Sequence, residues 1–268
     1  ITGTGNIDNV GTITTDGLTV AGNLDVSGGT IKLNGSYPVG SDNVALGLLA
    51  LDSIQVSTGR NIAIGRSALQ SNTSGVYNTA VGYGALFFNT TANCNTAIGY
   101  KSLQANTTGV ANTSLGYQSL ISNTTASNNT AVGFNSLYSN TTGTPNTAVG
   151  WCSLYANTTG SQNVAVGFNT LKANTTGTNN VAVGNYSLDA NTTGVTNTAL
   201  GHGSLGSNTT GGLHTAGGYQ ALASNTTGLC NTAFGYNSLV SNTTGNNNTA
   251  VGLESMCCNT TGCYNTAL

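Results

Sequence analysis

The sequence predicts an all-β chain, a parallel β-solenoid wound in seventeen-residue coils. Three observations carry this. Glycine stands at 65, 82, 99, 116, 133, 150, 167, 184, 201, 218, 235 and 252, an unbroken spacing of seventeen. Four residues after each of these glycines comes Leu, from Leu69 to Leu239, with Met256 the one replacement, and seven residues after comes Asn-Thr without exception. Helix competes poorly, because Gly, Asn, Thr and Ser are weak helix formers and no 3.6-residue apolar period is present. A period of this length marks a stacked repeat, and seventeen residues are too few for a helix pair.

The elements follow in chain order. Residues 1–42 carry short apolar pairs, Leu18/Val20, Leu24/Val26 and Ile31/Leu33, separated by glycines. These read as short strands with tight turns, a lead-in or stalk ending near Pro38-Val39-Gly40. The repeat array occupies residues 43–268. It opens on an irregular unit, Asn43 to Gly47, placed eighteen residues before Gly65.

Each coil is expected to hold two short strands, roughly Thr79–Tyr83 and Ala85–Thr90 in the first full example, with Asn-Thr-Thr-Gly turning the chain. Alternation puts Thr79 and Val81 on one strand face and Ala80 on the other. The Val column and the Leu column (Leu86, Leu103, Leu120) are expected to stack as an apolar spine. The Asn column (Asn89, Asn106, Asn123) is expected to be buried, with side-chain amides chained from coil to coil. The glycine column (Gly82, Gly99, Gly116, Gly133, Gly150) implies positive φ or a crowded backbone. One coil cannot bury its own face, so stability is expected from stacking.

Composition narrows the function. Only twelve of 268 residues are charged, and after Arg66 there remain Lys101, Lys172, Asp189 and Glu254. A typical domain carries about a quarter charged residues. A net charge of −2 gives no electrostatic footprint for nucleic acid or an anionic membrane. No apolar run approaches the ~20 residues of a membrane-spanning helix. The chain starts at Ile1 without a basic-then-apolar leader and stops inside a motif at Leu268, so we expect a fragment of something longer.

No catalytic, cofactor-binding or metal-ligating residues are expected. Asp189 and Glu254 lie four coils apart, ~19 Å by strand spacing, too far for a glycosidase pair. His202 falls in the aromatic column and His214 in an Asn column, and both read as repeat drift. Gly3-Thr4-Gly5 begins no strand–helix unit and is no dinucleotide fingerprint. The cysteines at 94, 152, 230, 257, 258 and 263 lack zinc spacing and read as small apolar fillers. The crowded Cys257/Cys258/Cys263 group is the exception, a candidate for bonding within or between chains. Each Asn-Thr-Thr is formally a glycosylation acceptor, though the turn itself accounts for both residue types.

The residue after each glycine forms a column of candidate interface or surface aromatics: Tyr83, Tyr100, Tyr117, Phe134, Trp151 and Phe168. Such rings either stack in register, pack at a subunit interface, or bind sugars. With the Ala column they form a stripe suited to a symmetric neighbour.

The units Asn61-Ile62-Ala63-Ile64-Gly65 and Asn163-Val164-Ala165-Val166-Gly167 resemble head repeats of trimeric autotransporter adhesins. The opening, Gly11-Thr12-Ile13-Thr14-Thr15-Asp16-Gly17-Leu18-Thr19-Val20, is similar to tail fibres of tailed bacteriophages. These resemblances imply a left-handed parallel β-roll, a homotrimer in register, and a structural or adhesive fibre role. The leading expectation is a virion tail-fibre shaft supporting recognition of a glycan or protein receptor. The alternatives are the head of a bacterial surface adhesin, outside the cell, and an ice-binding solenoid. The absence of a clean Thr-x-Thr face weighs against the last.

Overall fold

The computed structural model describes residues 42–55 and 59–268. The lead-in assigned to residues 1–42 therefore lies, except for Asp42, outside the described residues. The array is a parallel β-solenoid. Its described strands number fourteen, each of two to four residues, from β1 (Val44–Leu46) and β2 (Ile62–Ile64) to β14 (Thr266–Ala267). They form one sheet in sequence order, every neighbouring pair parallel. Ala80 pairs with Ala97, and Thr79 with Thr96, so the register repeats every seventeen residues. The exception is β1 against β2, where Val44 faces Ile62 at a spacing of eighteen.

Two expectations are corrected. Each coil has one strand: β3 covers Thr79–Val81, and Ala85–Thr90 is a run of turns. Leu86 has φ +51°, and Gly84, two residues before it, has φ +64°. A strand needs extended backbone at every residue, and left-handed residues at alternate positions forbid it. The turns nonetheless form a ladder between coils. Leu86 N–H donates to Ser102 O at 3.1 Å, and Phe88 N–H to Gln104 O at 3.0 Å.

The second correction concerns the spine. The inward residue of each strand is Ala, with Ala80, Ala131, Ala148 and Ala165 fully buried, while Val, Ile and Leu of the strand point outward. Leu86, Leu103 and Leu120 are fully buried as expected. The reason is width. A large Leu from the turn side fills the narrow interior, which leaves room across from it only for a methyl group.

The Leu column is also costly. All its leucines have φ between 49° and 54°, where an L-residue loses roughly 1–2 kcal/mol. Burying a Leu side chain returns about 1.5–3 kcal/mol. The two are comparable, so a coil gains little from its own Leu without the bonds made to its neighbours.

Glycine at the corner is needed on two counts. Gly133 has φ +131°, and a Cβ there would lie 2.4 Å from the Gly150 carbonyl oxygen. The backbones of successive corners approach so closely that no side chain fits between them.

Candidate functional site

Two features run the length of the array, one inside and one outside. Inside are two amide columns. In the first, Asn89 Nδ2 donates to Asn72 Oδ1 at 2.9 Å, Asn106 to Asn89 at 3.0 Å, and Asn123 to Asn106 at 3.0 Å. Each Nδ2 also donates to the carbonyl three residues on, as Asn106 does to Gly109 at 2.9 Å. In the second column, the Asn78 N–H donates to Asn61 Oδ1 at 2.8 Å. Asn95 Nδ2 reaches the same Gly109 oxygen, also at 2.9 Å. One carbonyl thus accepts from both columns, using both of its lone pairs.

This settles what the Asn-Thr-Thr segments do in the folded coil. From Asn89 to Asn242 these Asn side chains are fully buried and both Nδ2 hydrogens are committed, so the nitrogen a glycan would bond is not free. Asn259, in the last coil, makes the same two bonds but is only partly buried. His214 takes an Asn position in the second column. Its N–H donates to Asn197 Oδ1 at 3.1 Å, and its Nδ1 accepts from Asn231 N–H at 3.2 Å. Burial holds its pKa down to about 4, against backbone hydrogen bonds at Gly228 and Asn231 that work the other way. A neutral ring is what the column requires, since Nδ1 must accept.

Outside is the aromatic column. Tyr83, Tyr100, Tyr117, Phe134 and Trp151 stack with centroids 5.5, 5.1, 5.1 and 4.1 Å apart and planes within 15° of parallel. His202, Tyr219 and Tyr236 form a second stack, at 5.3 and 5.2 Å. The ring faces are spent on one another, so a stacked Tyr offers solvent its edge. Sugar rings that need an open face do not match this part of the column.

Beside it runs the outward strand column, including Ile98, Leu115 and Leu200, the last two 44% exposed. Sequence reasoning missed this column by placing it in the core. The Ala column, expected to share an interface with the aromatics, is interior and cannot. Exposed Thr91, Thr108 and Thr125 also form an outward column. It stands alone, because the next outward position varies between Val76, Asn93 and Val110.

The cysteines depart from the filler reading. Only Cys152 is buried, and Cys94 and Cys230 are exposed, at a position with positive φ. Cys257 and Cys258 sulfurs lie 3.4 Å apart, beyond a disulfide's ~2.05 Å, and all six thiols are free.

Among the described residues, no three His, Cys, Asp or Glu side chains gather closely enough to hold a metal ion. No helix among them is long and apolar enough to cross a membrane. The described residues contain one ion pair, Arg60 Nε to Asp42 Oδ2 at 3.7 Å, well exposed. Comparison with protein-family models, curated proteins and solved structures finds no match to this chain, so its likeness to tail fibres and adhesin heads rests on its motifs alone.

Proposed function

We propose that the chain is a structural segment of an adhesive fibre, a left-handed shaft that self-associates in register as a homotrimer. A phage tail fibre is the leading setting. What supports this reading above all is a pair of adjacent outward apolar columns. The strand column (Ile98, Leu115, Val183, Leu200) and the aromatic column (Tyr100, Tyr117, Trp151) flank the glycine corner along the array, all substantially exposed. Charge is nearly absent beside them after Arg66. Monomeric proteins rarely expose contiguous apolar surface beyond a few hundred Å². Lys and other charges that guard sheet surfaces against association are missing here.

Light scattering on the intact chain tests the proposal, and a trimer mass at micromolar concentration is the expected result. Leu115→Asp places a carboxylate on the stripe while leaving the interior untouched. It should lower the mass and keep the native circular dichroism. A wild-type chain that is monomeric at micromolar concentration would refute the assembly.

A further inference from the structure

The repeat breaks at one place on its surface, and several departures converge there. Five residues after each corner glycine the chain carries Phe87, Gln104, Ile121, Tyr138, Tyr155 and Lys172 in successive coils. The next three coils carry Asp189, Gly206 and Ala223. In the same region the aromatic column skips a coil: Asn185 takes the ring position, and the ring moves one residue on, to Tyr186. Two residues after the corner, Gly203 replaces the longer side chains found in most coils.

The result is an open depression of about 470 Å³, lined by Tyr186, Asp189, His202, Gly206, Ser207 and Gln220 among others. That volume lies within the roughly 300–1,000 Å³ of small-molecule sites. Gly206 creates the space beside the acid, since a Cβ there would lie 3.5 Å from Asp189 Oδ1. The depression spans two coil spacings, ~10 Å.

Its chemistry is specific. Asp189 is the only acid between Asp52 and Glu254. It is half-buried, and that burial raises its pKa against the opposing pull of the backbone N–H groups of residues 189 and 190 and of Lys172. An ionised carboxylate only accepts hydrogen bonds, whereas Gln220 and Ser207 both donate and accept. Tyr186 stands across the ladder. Its plane is 71° from that of Phe168 and 68° from that of His202, at centroid distances of 5.4 and 5.8 Å. Rings of the ladder face along the stack. Tyr186 instead turns its face sideways, and it is 40% exposed.

We infer that this depression is a binding site for a neutral hexopyranose unit of a glycan, with Asp189 accepting from sugar hydroxyls and Tyr186 as the apolar wall. Few polar groups around an aromatic wall suit a polyhydroxylated ring. A single carboxylate supplies too few oxygens for a calcium site, which needs six to eight. The same carboxylate disfavours an acidic sugar. The site stands on this depression alone and does not require the fibre reading, so a chain found to be monomeric would keep it.

Saturation-transfer NMR on the whole chain tests this. The probes are the methyl glycosides of glucose, galactose, mannose and N-acetylglucosamine, with a sialoside as the acidic comparison. At least one neutral glycoside should receive saturation and the sialoside should not. Gly206→Tyr refills the depression with the residue the column already holds at Tyr138 and Tyr155, so the fold is expected to survive. It should abolish the signal, and Asp189→Asn should weaken binding about tenfold or more. Tyr100→Phe, five coils away, should leave binding unchanged. Absence of transfer to every neutral glycoside, equal transfer to the sialoside, or wild-type binding by a folded Gly206→Tyr chain would each overturn the inference.

Discussion

Asn123 Nδ2 donates to Asn106 Oδ1 one coil earlier and to the Ala126 carbonyl in its own coil, both at 3.0 Å. Its own Oδ1 accepts from Asn140, also at 3.0 Å. All the hydrogen-bonding capacity that this side chain directs along the column is used, and none of it meets water.

Asn123→Asp keeps the shape and removes the donor, leaving a carboxylate beside two acceptors. Breaking one side of a buried polar pair costs about 3–5 kcal/mol when a charge is stranded. Denaturant titration at neutral pH should show a loss of that order. The folded-state pKa of the new acid would be raised, so the folded form binds its proton first and the penalty should shrink as pH falls toward the acid range. Exposed Thr125→Ser serves as the control, expected within about 0.5 kcal/mol of wild type. A penalty that does not change with pH would mean the new acid is not buried in the column.

Gly133→Ala should destabilise strongly, because the added Cβ would meet backbone oxygen at 2.4 Å in a left-handed conformation. Strain of that kind costs roughly 1–3 kcal/mol before any backbone shift is counted. Asn135→Gly should be neutral or mildly stabilising. Asn135 has φ +52°, and its Oδ1 is buried without a hydrogen-bond partner, so glycine relieves both. Melting temperatures rank the two, and equal values would remove the special role of the corner.

His214 predicts a pH dependence with a definite sign. The folded chain holds it neutral down to about pH 4, while the unfolded chain takes up a proton below ~6.5. Between those values the unfolded state binds more protons, so stability is complete above about pH 6.5 and is lost as pH falls toward 4. The loss should be on the order of 3 kcal/mol. His214→Asn restores the column residue and should flatten that dependence. Melts of both chains from pH 7.5 to 4 decide it, and a constant difference between them would count against a buried neutral ring.

Deleting residues 116–132 removes one full period and should leave every column in register, shortening the stack by one strand spacing, ~4.8 Å. Deleting eight residues from the same start should instead set corner glycines against bulky side chains. Small-angle scattering and circular dichroism compare the two, and a native spectrum from the eight-residue deletion would contradict the stacking.

The period, the Leu and Asn interior and the glycine corner were all legible, because each needs one residue type at every turn. Strand orientation was not. Thr-Ala-Val alternates the same way whichever face is buried, and only the width set by Leu86 decides for Ala80. The turn face was hidden for another reason: Leu86 holds a left-handed conformation that its own propensity opposes, imposed by the coils above and below. The column of position 135 holds Gly84, Lys101 and Gln118 in other coils. Its variation records freedom of side chain, while every residue there shares a positive φ. The depression beside Asp189 was illegible as a site because it is made of what is missing, large side chains at 206 and 223.

The links that end on the asparagine Oδ1 atoms share a direction. Asn89 Nδ2 donates to Asn72 Oδ1, and the Asn95 N–H donates to Asn78 Oδ1, in each case from the later coil to the earlier. Aligned dipoles of this kind add and polarise one another. Along the first column the amide line is therefore electrically one-way, with Oδ1 turned toward the later coils and Nδ2–H toward the earlier. The Nδ2 groups of the second column instead donate forward, as Asn78 does to the Ala92 carbonyl. Two such stacks can continue the line of the first column only head to tail. A joint between like ends would bring oxygen against oxygen or hydrogen against hydrogen, so the asparagines give the array an arrow as well as a core.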